Sequence, residues 1–321
     1  MTTPDAPRAG RLLMNLYPVH YRAAHGEDIA AVFAETTEGL PGRAVLRERF
    51  DLAAHALRLR LRIGPTDPAG RVLAGAAPVA LAIVAGRCLF FLLPQLHPMV
   101  HRLRYPYPNL GLGYAVQGAI LLLAGNLPWL LALAFAVTGR WKAARITGAL
   151  AALVGVGVLW SLGVFMLWEV GPMVSLAAVG ALLLLAPSGL VDVTARGRWE
   201  AAGLALGIAV PMLAVAHYQI PLLESLFLWD GTFWLYTATA VVLLLRLSGR
   251  RPDVLRAAGV ALGPLPWLLP LAFAALDGSE PLFLLAQYGG ACLVPLGAAA
   301  AGAGVVQLVR RARAGRPSPS A

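Results

Sequence analysis

Long apolar runs dominate the chain from residue 72 onward. Eight of them reach about 20 residues, the length at which a helix crosses a hydrocarbon core of about 30 Å. Their approximate limits are 72–94, 113–138, 146–168, 171–191, 200–219, 227–247, 254–276 and 282–309. The pattern therefore predicts an all-α fold, a polytopic helical membrane bundle of about eight transmembrane helices.

The first 70 residues follow a different pattern, in which no apolar run is long enough to span a bilayer. Apolar residues recur at helical spacing over 25–38 and again over 44–63, which predicts two amphipathic helices. A glycine- and proline-rich linker follows them. We expect three parts: a small cytosolic helical module over 1–70, a transmembrane domain over 71–309 and a basic disordered cytosolic tail over 310–321.

Composition agrees with a membrane protein. The chain is 59% hydrophobic and only 13% charged, whereas soluble domains have about 45–50% apolar and about 25% charged residues. The net charge of +10 does not indicate a nucleic-acid partner, because the basic residues are scattered in short segments beside the apolar runs. That placement is typical of membrane orientation, so the predicted surroundings are membrane lipid.

The basic residues also predict sidedness. With the amino terminus inside, 23 of the 26 lysines and arginines fall in segments on the inner side. This bias predicts a multi-pass protein of the cytoplasmic (inner) membrane with both termini in the cytoplasm.

A short sequence near the amino terminus is informative. Residues 16–22 read Leu-Tyr-Pro-Val-His-Tyr-Arg, and Gly26, Glu27 and Asp28 follow. The stretch over about 11–63 resembles the cytoplasmic helical module that opens many actinobacterial integral membrane proteins, a permease-prefix-like module with no established reaction. His25 stands where that module has an aromatic residue. The resemblance implies a cytosolic or membrane protein partner that docks through Tyr17, Tyr21, Arg22, Glu27, Asp28 and Phe33.

Motifs for catalysis are missing from the sequence. It has no phosphate-binding G-x-x-x-x-G-K-[ST], no dinucleotide-binding G-x-G-x-x-G after a strand, no H-E-x-x-H and no C-x-x-C. The two cysteines, Cys88 and Cys292, lie in apolar runs and are interpreted as packing residues. We therefore predict no enzymatic activity, no catalytic residue, no cofactor and no metal site.

A few polar residues in or beside the spans are candidates for binding a ligand. Arg87 lies inside the first span, where a charge is costly and usually has a partner, and Asp230 is its predicted partner. Two histidines in the first outer loop, His97 and His101, have the i,i+4 spacing of a metal pair or of an interfacial turn. The predicted ligand-binding residues are Arg87, Asn126, His217, Glu224 and Asp230.

One segment occurs twice. Residues 125–136 and 263–274 are identical at ten of twelve positions and include a shared Pro-Trp. In the predicted topology the two spans run in opposite directions, as in the inverted repeats of secondary transporters with broken helices. Asn126, Pro128, Pro264, Pro266 and Pro270 would mark those breaks.

Three functions remain open at this point. The first is a non-enzymatic membrane protein with a permease-like or sensory body and a cytosolic partner-docking module. The second is a secondary transporter with a polar site in spans one, two, six and seven. The third is a membrane enzyme that acts on a lipid-linked substrate at the outer face, using His97, His101, His217 or Glu224.

Overall fold

The computed structural model describes residues 14–64, 67–105, 111–161, 167–218, 232–249, 252–270, 273 and 281–314. These residues form helices and connecting turns, and no strand occurs among them. The predicted all-α class is therefore confirmed. The chain divides into two compact units, Met1–Gly70 and Arg71–Ala321.

The first unit is a helical hairpin. Helix α1 is Val19–Thr37 and helix α2 is Gly42–Arg60. α1 begins earlier than predicted, directly after Pro18, because its first turns precede the apolar residues Ile29, Val32 and Phe33 from which the helix was predicted. Gly39, with a φ of +72°, turns the chain between the helices, a conformation that glycine adopts without steric cost.

The second unit contains eight helices in its described residues, one for each predicted span. They are α3 (Pro68–Arg104), α4 (Gly111–Val137), α5 (Trp141–Ser161), α6 (Leu167–Leu185), α7 (Ala195–Tyr218), α8 (Thr232–Leu247), α9 (Val254–Leu262) and α10 (Pro281–Ala314). Five stretches are long and apolar enough to cross a membrane, within α3, α4, α5, α7 and α10. The described parts of α6, α8 and α9 are shorter apolar helices.

Two helices differ most from the predicted spans, and α10 also continues past the predicted end at 309 to Ala314. α3 does not stop before Pro94 but continues through Pro94 and Pro98 to Arg104, so the expected outer loop begins as helix. The seventh span is interrupted: α9 ends at Leu262, and a 3₁₀ turn follows over Leu265–Leu268. Proline supplies no backbone N–H, which weakens a regular helix at Pro264 and Pro266.

α3 lies at the centre of the second unit. Its residues from Ala80 to Ala85 are all buried, and glycines let other helices approach it closely. A Cβ at Gly259 of α9 would overlap the backbone oxygen of Val72, and a Cβ at Gly86 of α3 would approach the backbone oxygen of Ala205 of α7 to 2.6 Å. These crossings set the positions of α7 and α9 against α3.

Candidate functional sites

An open groove runs between α1 and α2 of the first unit. One face of each helix lines it, at the i, i+4 and i+7 spacing expected of a continuous helical surface. Two carboxylates, Asp28 and Glu48, are among the lining residues. The described residues along it are Tyr17, Tyr21, His25, Asp28, Ile29, Val32, Phe33, Thr36, Glu48, Leu52 and His55.

An aromatic cluster closes one end of this groove. The rings of Tyr17 and Tyr21 stack at 5.6 Å between centroids, and the His25 ring lies 4.8 Å from that of Tyr21. The Tyr17 hydroxyl lies 3.0 Å from His55 Nδ1, so the cluster links the two helices. Stacked aromatic rings of this kind contribute packing energy to the hairpin.

The described hydrophobic core of the hairpin lies at this end. Its described core is Met14, Tyr17 and Ala56, with Tyr21, Ile29, Leu52 and Leu59 packed against it. No side chain of α1, all of which the structure describes, is fully buried, and Val32 keeps 60% of its surface exposed. A helix of this length gains little stability in water without a packed face, so this face of α1 is suited to further packing.

The predicted docking residues fall into two groups. Tyr17, Tyr21, Asp28 and Phe33 line the groove, where Tyr17 is almost completely buried and Phe33 is half-buried. The other two lie outside it: Arg22 donates to Asn15 Oδ1 at 2.7 Å, and Glu27 is exposed. Docking itself stays a prediction.

Burial affects the titration of the aromatic cluster. It lowers the pKa of His55, and the nearby charge of Arg58 lowers it further. Burial raises the pKa of Tyr17, with a further contribution from Tyr21. The neutral forms of both side chains are therefore favoured, in which the Tyr17 hydroxyl can donate to an unprotonated His55 nitrogen.

A charge cluster occupies one end of the second unit. Arg246 at the end of α8 contacts two carboxylates: its guanidinium nitrogens lie 3.2 Å from Asp192 Oδ2, and its Nη2 lies 2.6 Å from Glu200 Oε2. Arg196 pairs with the other oxygen of Glu200 at 2.8 Å. The cluster thus joins the α6–α7 connection, α7 and α8.

A second set of polar contacts extends the cluster to α3 and α9. Asp253 caps α9 by accepting from Arg256 N, and its Oδ2 lies 2.9 Å from Arg71 at the start of α3. Arg256 also donates to the Leu190 carbonyl at 2.9 Å. Three acids and four arginines from five elements of the described structure therefore interact at this end.

The carboxylates of Asp192 and Asp253 are stabilised in their charged forms. Burial raises the pKa of Asp192, but hydrogen bonds from Thr194 and the charge of Arg246 outweigh it and lower the pKa below its usual value. Burial likewise raises the pKa of Asp253, and the Arg256 backbone N–H together with Arg71 lowers it overall. Both groups are anionic at neutral pH.

A small cavity of about 40 Å³ lies beside the cluster. Its lining includes Asp192, Glu200, Arg246 and Arg256 together with apolar residues of α3 and α7. The Nε atoms of Arg246 and Arg256 are buried without a hydrogen-bond partner in the structure. The volume suits one or two water molecules, which would satisfy such donors.

Other contacts bring the remaining basic segments to the same end. A Cβ built on Gly139, which lies between α4 and α5, would be 3.5 Å from a guanidinium nitrogen of Arg198. Gln307 of α10 donates to the carbonyls of Leu247 and Gly249 at 2.9 Å, and Arg310 donates to the Ser248 carbonyl. The arginine-rich connections of the second unit therefore meet at one end of its bundle.

The predicted ligand-binding residues do not form one described site. Arg87 is half-buried on α3 with its guanidinium 5.6 Å from the Phe91 ring centroid. Asn126 on α4 donates to the Leu122 carbonyl of its own helix at 2.8 Å, and His217 is exposed with its ring against Tyr218. Glu224 and Asp230, including the predicted Arg87–Asp230 pair, lie outside the described residues.

His97 and His101 are both exposed on the last turns of α3. The His101 ring lies 5.1 Å from that of Tyr105. Among the described residues no group of three or more potential ligands is arranged to hold a metal ion. The i,i+4 pair therefore has the helical geometry expected, and the third ligand that a protein metal site needs is not among its described neighbours.

The predicted breaks are found in one of the two matching segments. Pro128 stays inside a continuous α4, whereas the seventh span is interrupted before Leu265. The carbonyls of Pro264 and Pro266 accept hydrogen bonds from the Tyr236 and Ser175 hydroxyls at 3.2 and 2.6 Å. The backbone groups at this break are therefore satisfied by side chains of α8 and α6.

The charge cluster was not predicted from the sequence. The one charged pair predicted was Arg87 with Asp230, whereas Asp192, Glu200 and Asp253 lie within or beside the segments predicted to be on the inner side. Their position was a usable signal, since an acid at the end of a span among arginines commonly has a charged partner.

Together these features define a class: an all-α, membrane-embedded helical bundle with a small helical hairpin at its amino terminus. Comparison with known proteins adds no relative. No family model matches the chain, and no curated protein or solved structure is significantly similar to it.

Proposed function

We propose that this chain is an integral protein of the cytoplasmic membrane whose amino-terminal hairpin is a cytosolic docking module, similar to the permease-prefix-like modules, for a membrane body of permease-like or sensory type. The hairpin binds another protein through the groove between α1 and α2. The membrane body has eight spans, and both termini lie in the cytoplasm.

The observation that carries this proposal is the open groove. An apolar strip with Ile29, Val32, Phe33 and Leu52 lies along it, and α1 has no fully buried side chain to stabilise it. An amphipathic helix laid into such a groove would bury its apolar face against that strip, a common mode of peptide recognition.

The charge distribution supports the proposed topology. The basic connections converge at one end of the second unit, where Arg246, Arg256 and Arg71 hold the carboxylates. Excess arginine on one side of a bundle is typical of the cytoplasmic side. Arg71, near the start of α3, belongs to this cluster, so the chain enters the second unit at its arginine-rich end.

The test is capture of partners from native membranes. Tagged full-length protein and the double variant Val32→Glu/Leu52→Glu are purified in mild detergent, and co-purifying proteins are identified by mass spectrometry. Placing two carboxylates on the apolar strip opposes burial of an apolar partner face. We expect a specific protein to be lost with the double variant and kept with Val19→Glu/Leu46→Glu, which alters exposed apolar residues outside the groove.

Two outcomes would contradict docking. One is the same set of co-purifying proteins for all three versions. The other is equal loss in the groove variant and the control variant, which would indicate a general effect of added charge. Circular dichroism and amide hydrogen exchange over 19–60 establish that the hairpin is folded in each variant.

A secondary transporter is a second candidate, favoured by the interrupted seventh span. Broken helices near a polar site are characteristic of such proteins, and the break lies beside hydroxyls of Tyr236 and Ser175. In proteoliposomes a transported solute should then move in a manner that depends on Asn126 or Asp230. Unchanged transport of every solute tested in Asn126→Ala and Asp230→Asn would leave this candidate without support.

A further inference from the structure

We infer that the groove of the amino-terminal hairpin takes a basic amphipathic helix, whose apolar face lies on the strip between α1 and α2 and whose lysines or arginines meet Asp28, Glu48 and the aromatic cluster. This inference rests on the proposed docking function and specifies the chemistry of the partner.

The charged residues that line the groove favour a basic ligand. The described residues that line the groove include the carboxylates of Asp28 on α1 and Glu48 on α2, and no lysine or arginine. The acids therefore stand on both walls of an apolar strip, in a chain whose net charge is +10. A local negative rim on a basic protein favours a cationic ligand and disfavours an acidic one.

The aromatic cluster at one end of the groove also favours a cationic side chain. Tyr21 stacks on Tyr17 and packs beside His25, so several π-bearing rings lie at one end of the groove. A guanidinium or ammonium group is attracted to the face of an aromatic ring, and Asp28 adds a carboxylate to the same groove. A cationic side chain at this end of the ligand helix would contact the aromatic rings and would also lie close to the wall that carries Asp28.

The dimensions of the groove fit a helix. The lining residues of α1 extend from Tyr21 to Thr36, so this wall is about 22 Å long at 1.5 Å per residue. A ligand helix of about 15–18 residues would cover that length. Apolar anchors at i, i+3, i+4 and i+7 of the ligand would then lie along Ile29, Val32 and Leu52.

The test uses full-length protein in nanodiscs of zwitterionic phosphatidylcholine and two fluorescent peptides. Both are helices of about 18 residues with the same leucine face, and they carry either arginines or glutamates on the other face. Binding is followed by fluorescence anisotropy. We expect the basic peptide to bind at least about tenfold more tightly than the acidic one, because the rim repels glutamates.

Variants of the acidic residues test whether Asp28 and Glu48 cause the preference for the basic peptide. Asp28→Asn/Glu48→Gln should weaken the basic peptide by about five- to tenfold, the effect of losing two partly exposed ion pairs. Glu27→Gln/Glu38→Gln makes the same change of charge at exposed acids that do not line the groove, and should change binding by less than about twofold. Asp28→Lys/Glu48→Lys should reverse the preference in favour of the acidic peptide.

The outcomes separate this inference from the proposed function. Equal binding of the two peptides, or equal weakening by the groove and control variants, would overturn the basic-helix inference. If partner capture still depends on Val32 and Leu52, docking would stand with a ligand of different charge. If capture is also insensitive to those residues, both proposals fail. Unchanged amide hydrogen exchange over 19–60 shows that the variants retain the hairpin.

Discussion

At the scale of single residues, the contact between Tyr17 and His55 connects the two helices of the hairpin. The folded state lowers the pKa of His55, so the unfolded chain takes up a proton more readily. Stability of the hairpin is therefore fully present above the unfolded pKa of about 6.5 and declines as the pH falls through and below that value. Protonation of Nδ1 also removes the acceptor for the Tyr17 hydroxyl.

We expect acid to weaken the hairpin and His55→Phe to remove that sensitivity. Tyr17→Phe keeps the ring but loses its hydroxyl contact, and should destabilise the hairpin by about 1 kcal/mol. Protection factors for amides over 19–60, measured by hydrogen exchange at several pH values, report both effects. His20→Gln, at an exposed position, is the control; if it abolished the acid sensitivity as well, the assignment to His55 would be wrong.

Glycines show how a single residue sets a helix crossing. Gly259 on α9 faces the backbone of α3, whereas Gly203 on α7 has open space where a Cβ would lie. Gly259→Ala should therefore force the helices apart and lower the unfolding temperature in detergent. Gly203→Ala should leave it unchanged or raise it, because alanine is favoured over glycine in a helix by about 1 kcal/mol.

One result would contradict the expected difference between Gly259→Ala and Gly203→Ala. If both variants unfold at the same temperature as the parent, the close approach of α9 to α3 does not contribute to stability. The sequence alone cannot distinguish the two positions, since both belong to Gly-x-x-x-Gly pairs in apolar spans. Which face of each helix meets a neighbour is decided by tertiary packing.

At the scale of elements, the existence of the helices was predictable and their ends were less so. Hydrophobicity over a span-length window found one helix for each of the eight described in the second unit, because the bilayer sets the length. It did not find the extension of α3 to Arg104, since Gln95, His97 and Arg102 are polar. A helix that leaves the apolar layer keeps its hydrogen bonds and loses only its hydrophobic signal.

The candidate sites were predictable to a smaller degree. Tyr17, Tyr21, Asp28 and Phe33 were identified through a resemblance and do line one groove. The charge cluster was missed because its members are far apart in sequence: Arg246 meets Asp192 and Glu200 only through the packing of α7 and α8. Asp192 at the end of a span shows no pairing until that tertiary structure is known.

Arg246 should be the most sensitive member of the charge cluster. Arg246→Gln leaves Asp192 and Glu200 without their shared cation, and both carboxylates are largely buried, with 18% and 15% of their side-chain surface exposed. We expect a loss of about 1–3 kcal/mol, less than for a fully buried pair because Arg246 itself is partly solvated. Thermal unfolding in detergent at pH 7 measures it.

Arg196→Gln is the matched control for that measurement. Arg196 pairs with the same Glu200 but has 64% of its side chain exposed, so its loss should cost less than about 1 kcal/mol. Equal destabilisation by the two substitutions would mean that the bridge to Asp192 adds nothing. Because the folded state lowers the pKa of Asp192, its contribution should be constant at neutral pH and be lost only as the pH falls below about 4.

At the scale of the whole molecule, the convergence of the basic connections makes a prediction about topology. Thr138 and Val193 lie in the connections at the charge-cluster end, and both are exposed. Tyr105 and Tyr218 follow or end α3 and α7 at the opposite ends of those helices, and are exposed as well. A charge-rich end on the cytoplasmic side would place the first pair inside and the second pair outside.

Single cysteines at these four positions, in a background with Cys88 and Cys292 replaced by alanine, would test that assignment. With a membrane-impermeant maleimide on intact cells, Tyr105→Cys and Tyr218→Cys should be labelled, whereas Thr138→Cys and Val193→Cys should react only after permeabilisation. The reverse pattern would place the arginine-rich end outside and remove the basis for a cytosolic docking groove. Labelling of Thr138→Cys together with Tyr105→Cys would instead contradict a membrane crossing by α4, because α4 lies between these two positions and an odd number of crossings must separate an outer from an inner connection.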